Sequence, residues 1–197
     1  MKMPLVLVAS LGLALASGPV QAQSALDKYF KKNTESSSGK ANTDEAGINK
    51  VFKNPEGYWR SDDSRPTGGF CSITYVTPSY TAGFLGPVGN TNDAFMVFSG
   101  PTIPGIKKEK RKQMTITGAD GLSQTTQAVH APNSKDAGSI YFRLTGIQDS
   151  MDELSDVEHV TISMDKKQVF SMKWKGGHTA RAAMQKCLAS APSTGAK

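Results

Sequence analysis

The chain has 197 residues, two cysteines and a formal net charge of +6. Its length suits one domain and is short for two. Two cysteines without metal-type spacing argue against a cysteine-built zinc centre, and no stretch is long and apolar enough to span a bilayer.

Residues 1–22 carry the marks of a cleaved export signal. Lys2 supplies the positive start and Pro4 to Ala16 a near-continuous apolar run. A Gly18-Pro19 break and the small-residue site Val20-Gln21-Ala22 follow. No cysteine follows the cleavage site, which argues against a lipoprotein anchor. The expected location is therefore periplasmic or secreted, where two cysteines form one disulfide, Cys71–Cys187. Removing the signal takes away Lys2 and no acid, leaving 175 residues and a charge of +5.

Residues 23–56 read as a flexible leader. Ser24 to Lys32 has the spacing of one amphipathic helical piece, with Ala25, Leu26, Tyr29 and Phe30 on a face. Asn33 to Asn42 has nothing to bury and a disordered composition. Ile48, Val51 and Phe52 suggest a second short helix that docks on the domain.

A β-rich domain is expected over 57–190, opening near Tyr58-Trp59. Asp62 to Gly69 is a dense turn signal. Phe70 to Val76 alternates as a strand with Cys71, Ile73 and Tyr75 inward. Pro78 to Asp93 reads as an irregular excursion, and Ala94 to Phe98 as a central strand. The Gly and Pro residues of 100–105 forbid regular pairing, and a strand resumes at Met114 to Thr117. Gly121 to Lys135 is loop-like, although Thr125 to Val129 could pair. Ser139 to Thr145 is a strand with Ile140, Phe142 and Leu144 on one face, and Met151 to Val157 suggests one helical turn. Val160 to Met164 and Val169 to Trp174 form a hairpin across Asp165 to Gln168.

The chain then changes period. Phe170, Met172 and Trp174 share a strand face, Gly176 and Gly177 break it, and Ala180, Ala183, Met184, Cys187 and Leu188 line one helical face. Six or seven strands before one terminal helix predict a mainly β fold. It is an antiparallel β-sandwich or barrel-like domain with a C-terminal helix pinned by the disulfide. Residues 191–197 are a small, polar tail expected to be disordered.

Trp59, Cys71, the strand–glycine piece Phe170 to Gly177 and the helix Ala180 to Cys187 together give a layout that resembles small exported proteobacterial β-rich proteins. The resemblance implies a fold and a compartment and no activity.

Chemistry-bearing patterns are sparse. His130, His159 and His178 lie in neither HxH nor HExxH spacing. Asp149, Asp152, Glu153, Asp156 and Glu158 lack the order of a calcium loop, and a solvated acidic turn accounts for them. No serine sits in a Gly-x-Ser-x-Gly elbow. The expectation is a protein without catalytic residues, metal or cofactor. Two binding features stand out. Gly176, Gly177, His178 and Arg181 could form an anion site at a helix start, or simply a tight strand-to-helix connection. Lys107, Lys108, Lys110, Arg111 and Lys112 could meet an anionic envelope surface or acidic partner, or guard a sheet edge. Nucleic acid fits the charge but not the compartment. A non-catalytic binding module of inhibitor or immunity type, with a protein or anionic envelope component as partner, is the leading expectation. An envelope accessory protein docking through its leader and residues 107–112 is the alternative, and an unrecognised hydrolase the third.

Overall fold

The computed structural model describes residues 48–54, 56–88, 92–134 and 136–190, with 48–54 and 67 described as backbone alone. Residues 1–47 and 191–197, where the expected export signal, most of the expected leader and the expected tail fall, lie outside the described residues. Ten strands follow one another: β1 (Ile48–Asn54), β2 (Gly57–Asp63), β3 (Cys71–Val76), β4 (Thr81–Gly86), β5 (Ala94–Pro104), β6 (Lys110–Thr117), β7 (Ser123–Pro132), β8 (Ala137–Leu144), β9 (Val157–Met164) and β10 (Lys167–Lys175). Helix α1 (Ile147–Asp152) lies between β8 and β9, and α2 (Gly177–Ala189) follows β10.

The strands pair antiparallel in the order β1-β2-β3-β4-β5-β8-β7-β6-β9-β10. Strand twist curls so wide a sheet on itself. Its β10 edge comes back to strands from the other half. Thr102 Oγ1 on β5 donates to the Val169 carbonyl at 2.7 Å, and Trp59 Nε1 on β2 donates to the Lys175 carbonyl at 2.8 Å. No backbone ladder joins β10 to β2 or β5. Side-chain donors thus satisfy edge carbonyls along the seam of a nearly closed barrel.

Aromatic rings fill the interior. Phe98 lies 5.0 Å from Phe170 and 6.0 Å from Phe142, while Trp59 lies 5.2 Å from Tyr75 and 6.0 Å from Trp174. None of these six side chains is more than 4% exposed, so the barrel encloses a packed core rather than a ligand cup. A second cluster, with Phe70, Leu85, Val88, Phe95, Val97 and Tyr141, occupies the opposite face of β4, β5 and β8.

Helix α2 packs on β2, β3 and α1, burying Ala180 and Met184. The predicted Cys71–Cys187 disulfide joins it to β3. Arg65 holds its C-terminal end, donating to the Ser190 carbonyl and hydroxyl, both at 2.8 Å. A cation there also complements the helix dipole. The same guanidinium grips Asp63 through two bonds at 2.7 and 2.8 Å. Gln185 reaches Asp152 at 2.9 Å.

The mainly β barrel with a pinned terminal helix matches the sequence expectation, but several elements differ. Ile48–Asn54 is a strand paired with β2, not a docking helix. The excursion at 78–93 contains β4, whose Ala82 and Phe84 enter the core on either side of Gly83, which masks the pattern. Strand β5 runs through Gly100-Pro101 to Pro104, and the expected irregularity survives as a register shift against β8. Residues 123–132 form a full strand, β7. The helical turn falls earlier, at 147–152; Met151 and Leu154 are buried, but Val157 is exposed and opens β9.

Candidate functional site

The glycine turn before α2 is a tight connection. Gly176 has φ +79°, a left-handed conformation that favours glycine. Gly177 is buried, and a Cβ there would collide with the Ser155 carbonyl oxygen. Most helix-start donors have partners within the chain, but the buried Arg181 Nε has no hydrogen-bond partner among the described residues. His178 N–H donates to Asp156 Oδ1 at 3.1 Å, Gly177 N–H to the Asp156 carbonyl at 3.0 Å, and Arg181 to the Leu154 carbonyl at 2.7 Å. The anion at this helix start is the protein's own Asp156.

The other acids of the 149–158 cluster are dispersed in role. Asp152 accepts from Gln148 and Gln185, and Glu158 from the backbone of Ala119 and His159. The histidines are separated as well. His130 is buried, with Nε2 2.7 Å from the Pro104 carbonyl, whereas His159 Nε2 lies 2.9 Å from Ser171 Oγ on the surface. Asp63, Cys71 and Cys187 bring three potential ligand atoms within 4.8 Å. The two sulfurs are bonded to each other and Asp63 to Arg65, so this is a clasp rather than a metal centre. Arg65 hydrogen bonding holds the Asp63 carboxyl below its usual range and raises the guanidinium's own pKa.

The basic run begins in the β5–β6 turn and enters β6. Lys107, Lys108, Lys110 and Arg111 are exposed; Lys112 bonds Asp165 Oδ2 at 2.7 Å. Strand β6 pairs with β7 along its whole length but with β9 only from Met114 to Thr117. Residues 110–113 therefore form a short open edge among the described residues, where cations disfavour edge pairing.

A feature absent from the sequence reading is an open groove of about 620 Å³ on the outer face of β2, β3, β4, β5 and β8. Register builds it from rows that cross the sheet. Arg60, Thr74, Gly83, Val97 and Tyr141 stand side by side, and Tyr58, Val76, Thr81, Ser99 and Ser139 form the neighbouring row. Gly83 keeps the floor low, because a Cβ there would press on the Ile73 carbonyl and Thr74. Tyr80 closes one end, its ring over Gly100 and packed edge-to-face on the core residue Phe170, with ring centroids 5.4 Å apart. Ser99 and Ser139 hydroxyls pair at 2.6 Å. Among the described residues, the half-buried Arg60 guanidinium makes no hydrogen bond or ion pair.

This lining supplies apolar contact from Val76 and Pro101 over buried Leu85 and Val97, hydroxyl donors and acceptors, and a guanidinium without a partner among the described residues. It contains no acid or histidine, so it has no evident general base. Each residue taken alone looks like the polar outside of a strand; only the order β4-β5-β8 brings them together. Comparison of the chain with protein-family models, curated proteins and solved structures gives no match.

Proposed function

We propose that this is an exported, non-catalytic protein-binding module that receives a segment of its partner in the outer-face groove. The observation that carries the proposal is the lining: half-buried Tyr58 amid serines, threonines, glycines and Asn133, with Arg60 at one side and the buried Tyr141 beneath. Tyrosine gives large contact area at low entropic cost, and small polar residues give adaptable hydrogen bonds. Arg60 offers a paired donor face to a partner carboxylate. The filled barrel interior and the absence of an acid or base in the groove favour recognition over turnover.

The test is affinity capture from envelope and culture fluid, comparing the parent with Thr81→Trp and Arg60→Ala. Thr81→Trp fills the groove from its outer face. The expected result is one stoichiometric protein that survives high salt on the parent, disappears with Thr81→Trp and weakens with Arg60→Ala. Capture that is unchanged by both substitutions in folded protein would refute the groove as the binding surface.

A further inference from the structure

The Lys112–Asp165 bond joins strand β6 to the β9–β10 turn, more than fifty residues away in sequence. Register places them together independently, since Met114 pairs with Met164. The 107–112 segment contributes five cations and Glu109, and the 165–167 stretch, the β9–β10 turn and the first residue of β10, contributes Lys166, Lys167 and Asp165. Seven cations against two carboxylates leave +5 at one pole of the barrel, out of +6 for the whole chain.

We infer that this two-turn pole docks the protein on an anionic phospholipid bilayer. Edge protection accounts for Lys110 and Lys112 in the open part of β6 and for Lys167 at the start of the edge strand β10, but not for Lys107, Lys108 and Lys166 in turns. The chemistry selects a diffuse charged surface. Six of the seven cations are lysines, compact point charges without the bidentate geometry that reads individual groups. The large exposed apolar side chains among the described residues are Leu122 and Val157, and neither belongs to the pole. It therefore lacks the apolar anchor around which a protein interface is built, and no aromatic residue in either turn could stack a nucleobase. Without an inserted side chain, the association is electrostatic, reversible and salt-labile.

The experiment is flotation of the oxidised, naturally processed protein with vesicles of phosphatidylcholine alone or with about one-third phosphatidylglycerol. Each cation near an anionic surface strengthens partitioning about fivefold at low salt. Lys166 has φ +63°, so Lys166→Asn removes charge while suiting the turn. K166N/K167Q should weaken binding to the anionic vesicles about 25-fold, and K107Q/K108Q should do the same. K186Q, on α2, should leave binding close to that of the parent. Binding should vanish near 0.5 M salt, a level at which exposed charges are screened within about 4 Å. Equal flotation with neutral vesicles, or full binding by K166N/K167Q, would overturn the inference. So would a loss with K186Q equal to the loss with K166N/K167Q, or no binding at low salt. Thermal midpoints of all variants establish that folding is intact. Thr81→Trp should float like the parent, which separates this surface from the groove.

Discussion

Removal of the disulfide gives a quantitative test of how the fold is held. Cys71 and Cys187 are 116 residues apart. In the chain-entropy model, opening a loop of that size releases about 5 kcal/mol of restraint on the unfolded ensemble at 25 °C. A domain of this size changes its midpoint by about 3–4 °C per kcal/mol, so C71S/C187S should lower Tm by about 15 °C. The other contacts to α2 do not replace the bridge, because they act only in the folded state. The bonds of Arg65 to Ser190 and of Gln185 to Asp152 are polar and solvent-accessible, each contributing about 1 kcal/mol. Differential scanning of parent and double variant, with and without reductant, measures the effect. A shift below about 4 °C, or a reduced parent that melts like the oxidised one, would refute the reasoning. Adding reductant to C71S/C187S should change nothing.

Gly177→Ala should cost about 1–3 kcal/mol in urea unfolding despite the better helix propensity of alanine, because the added Cβ meets the Ser155 backbone oxygen rather than a movable side chain. Phe170→Ala, which empties the contact between Phe98 and Tyr80, should cost about 3–5 kcal/mol by the same measurement. Asp63 titrates below its ordinary range because Arg65 bonds its charged form, so its contribution is present above the unfolded carboxylate range and lost as pH falls through the folded value. Asp63→Asn should accordingly cost about 1 kcal/mol at neutral pH and show a smaller further loss on acidification than the parent. A parallel acid limb in the two proteins would exclude that assignment.

Wherever one strand face meets the core and the other meets water, the alternation was readable. Ile73 with Tyr75, Ile140 with Phe142, and Phe170, Met172 and Trp174 all point inward as their spacing implied. The change of period after Gly177 is equally local, and two cysteines allow a single intrachain pairing although they lie 116 residues apart. Strand β4 was not legible because Gly83 and Gly86 replace apolar residues and carry turn character out of context. The start of β6 was not legible because a cation run has no hydrophobic period, and its pairing comes from β7. The second cluster of apolar residues outside the barrel also blurs inward and outward positions on β5, where Phe95 and Val97 are as apolar as Ala94 and Phe98.

Neither proposed surface belongs to one segment, and this is why residue-by-residue reading found half of one and none of the other. The groove needs alternate positions from five strands, including the nonconsecutive neighbours β5 and β8. The basic pole needs β6 beside β9, which carries Lys166 and Lys167 to the run already visible at 107–112. Their chemistry differs in a way one titration exposes. Groove recognition involves a single available cation and much uncharged contact, so its affinity should change little with ionic strength. The pole has a net charge of +5 and no apolar anchor, so its affinity should fall steeply over the same range. A partner retained in high salt while vesicles are released would assign the two activities to separate surfaces. Release of both together would place the partner, like the lipid, on the pole and leave the groove without its proposed role.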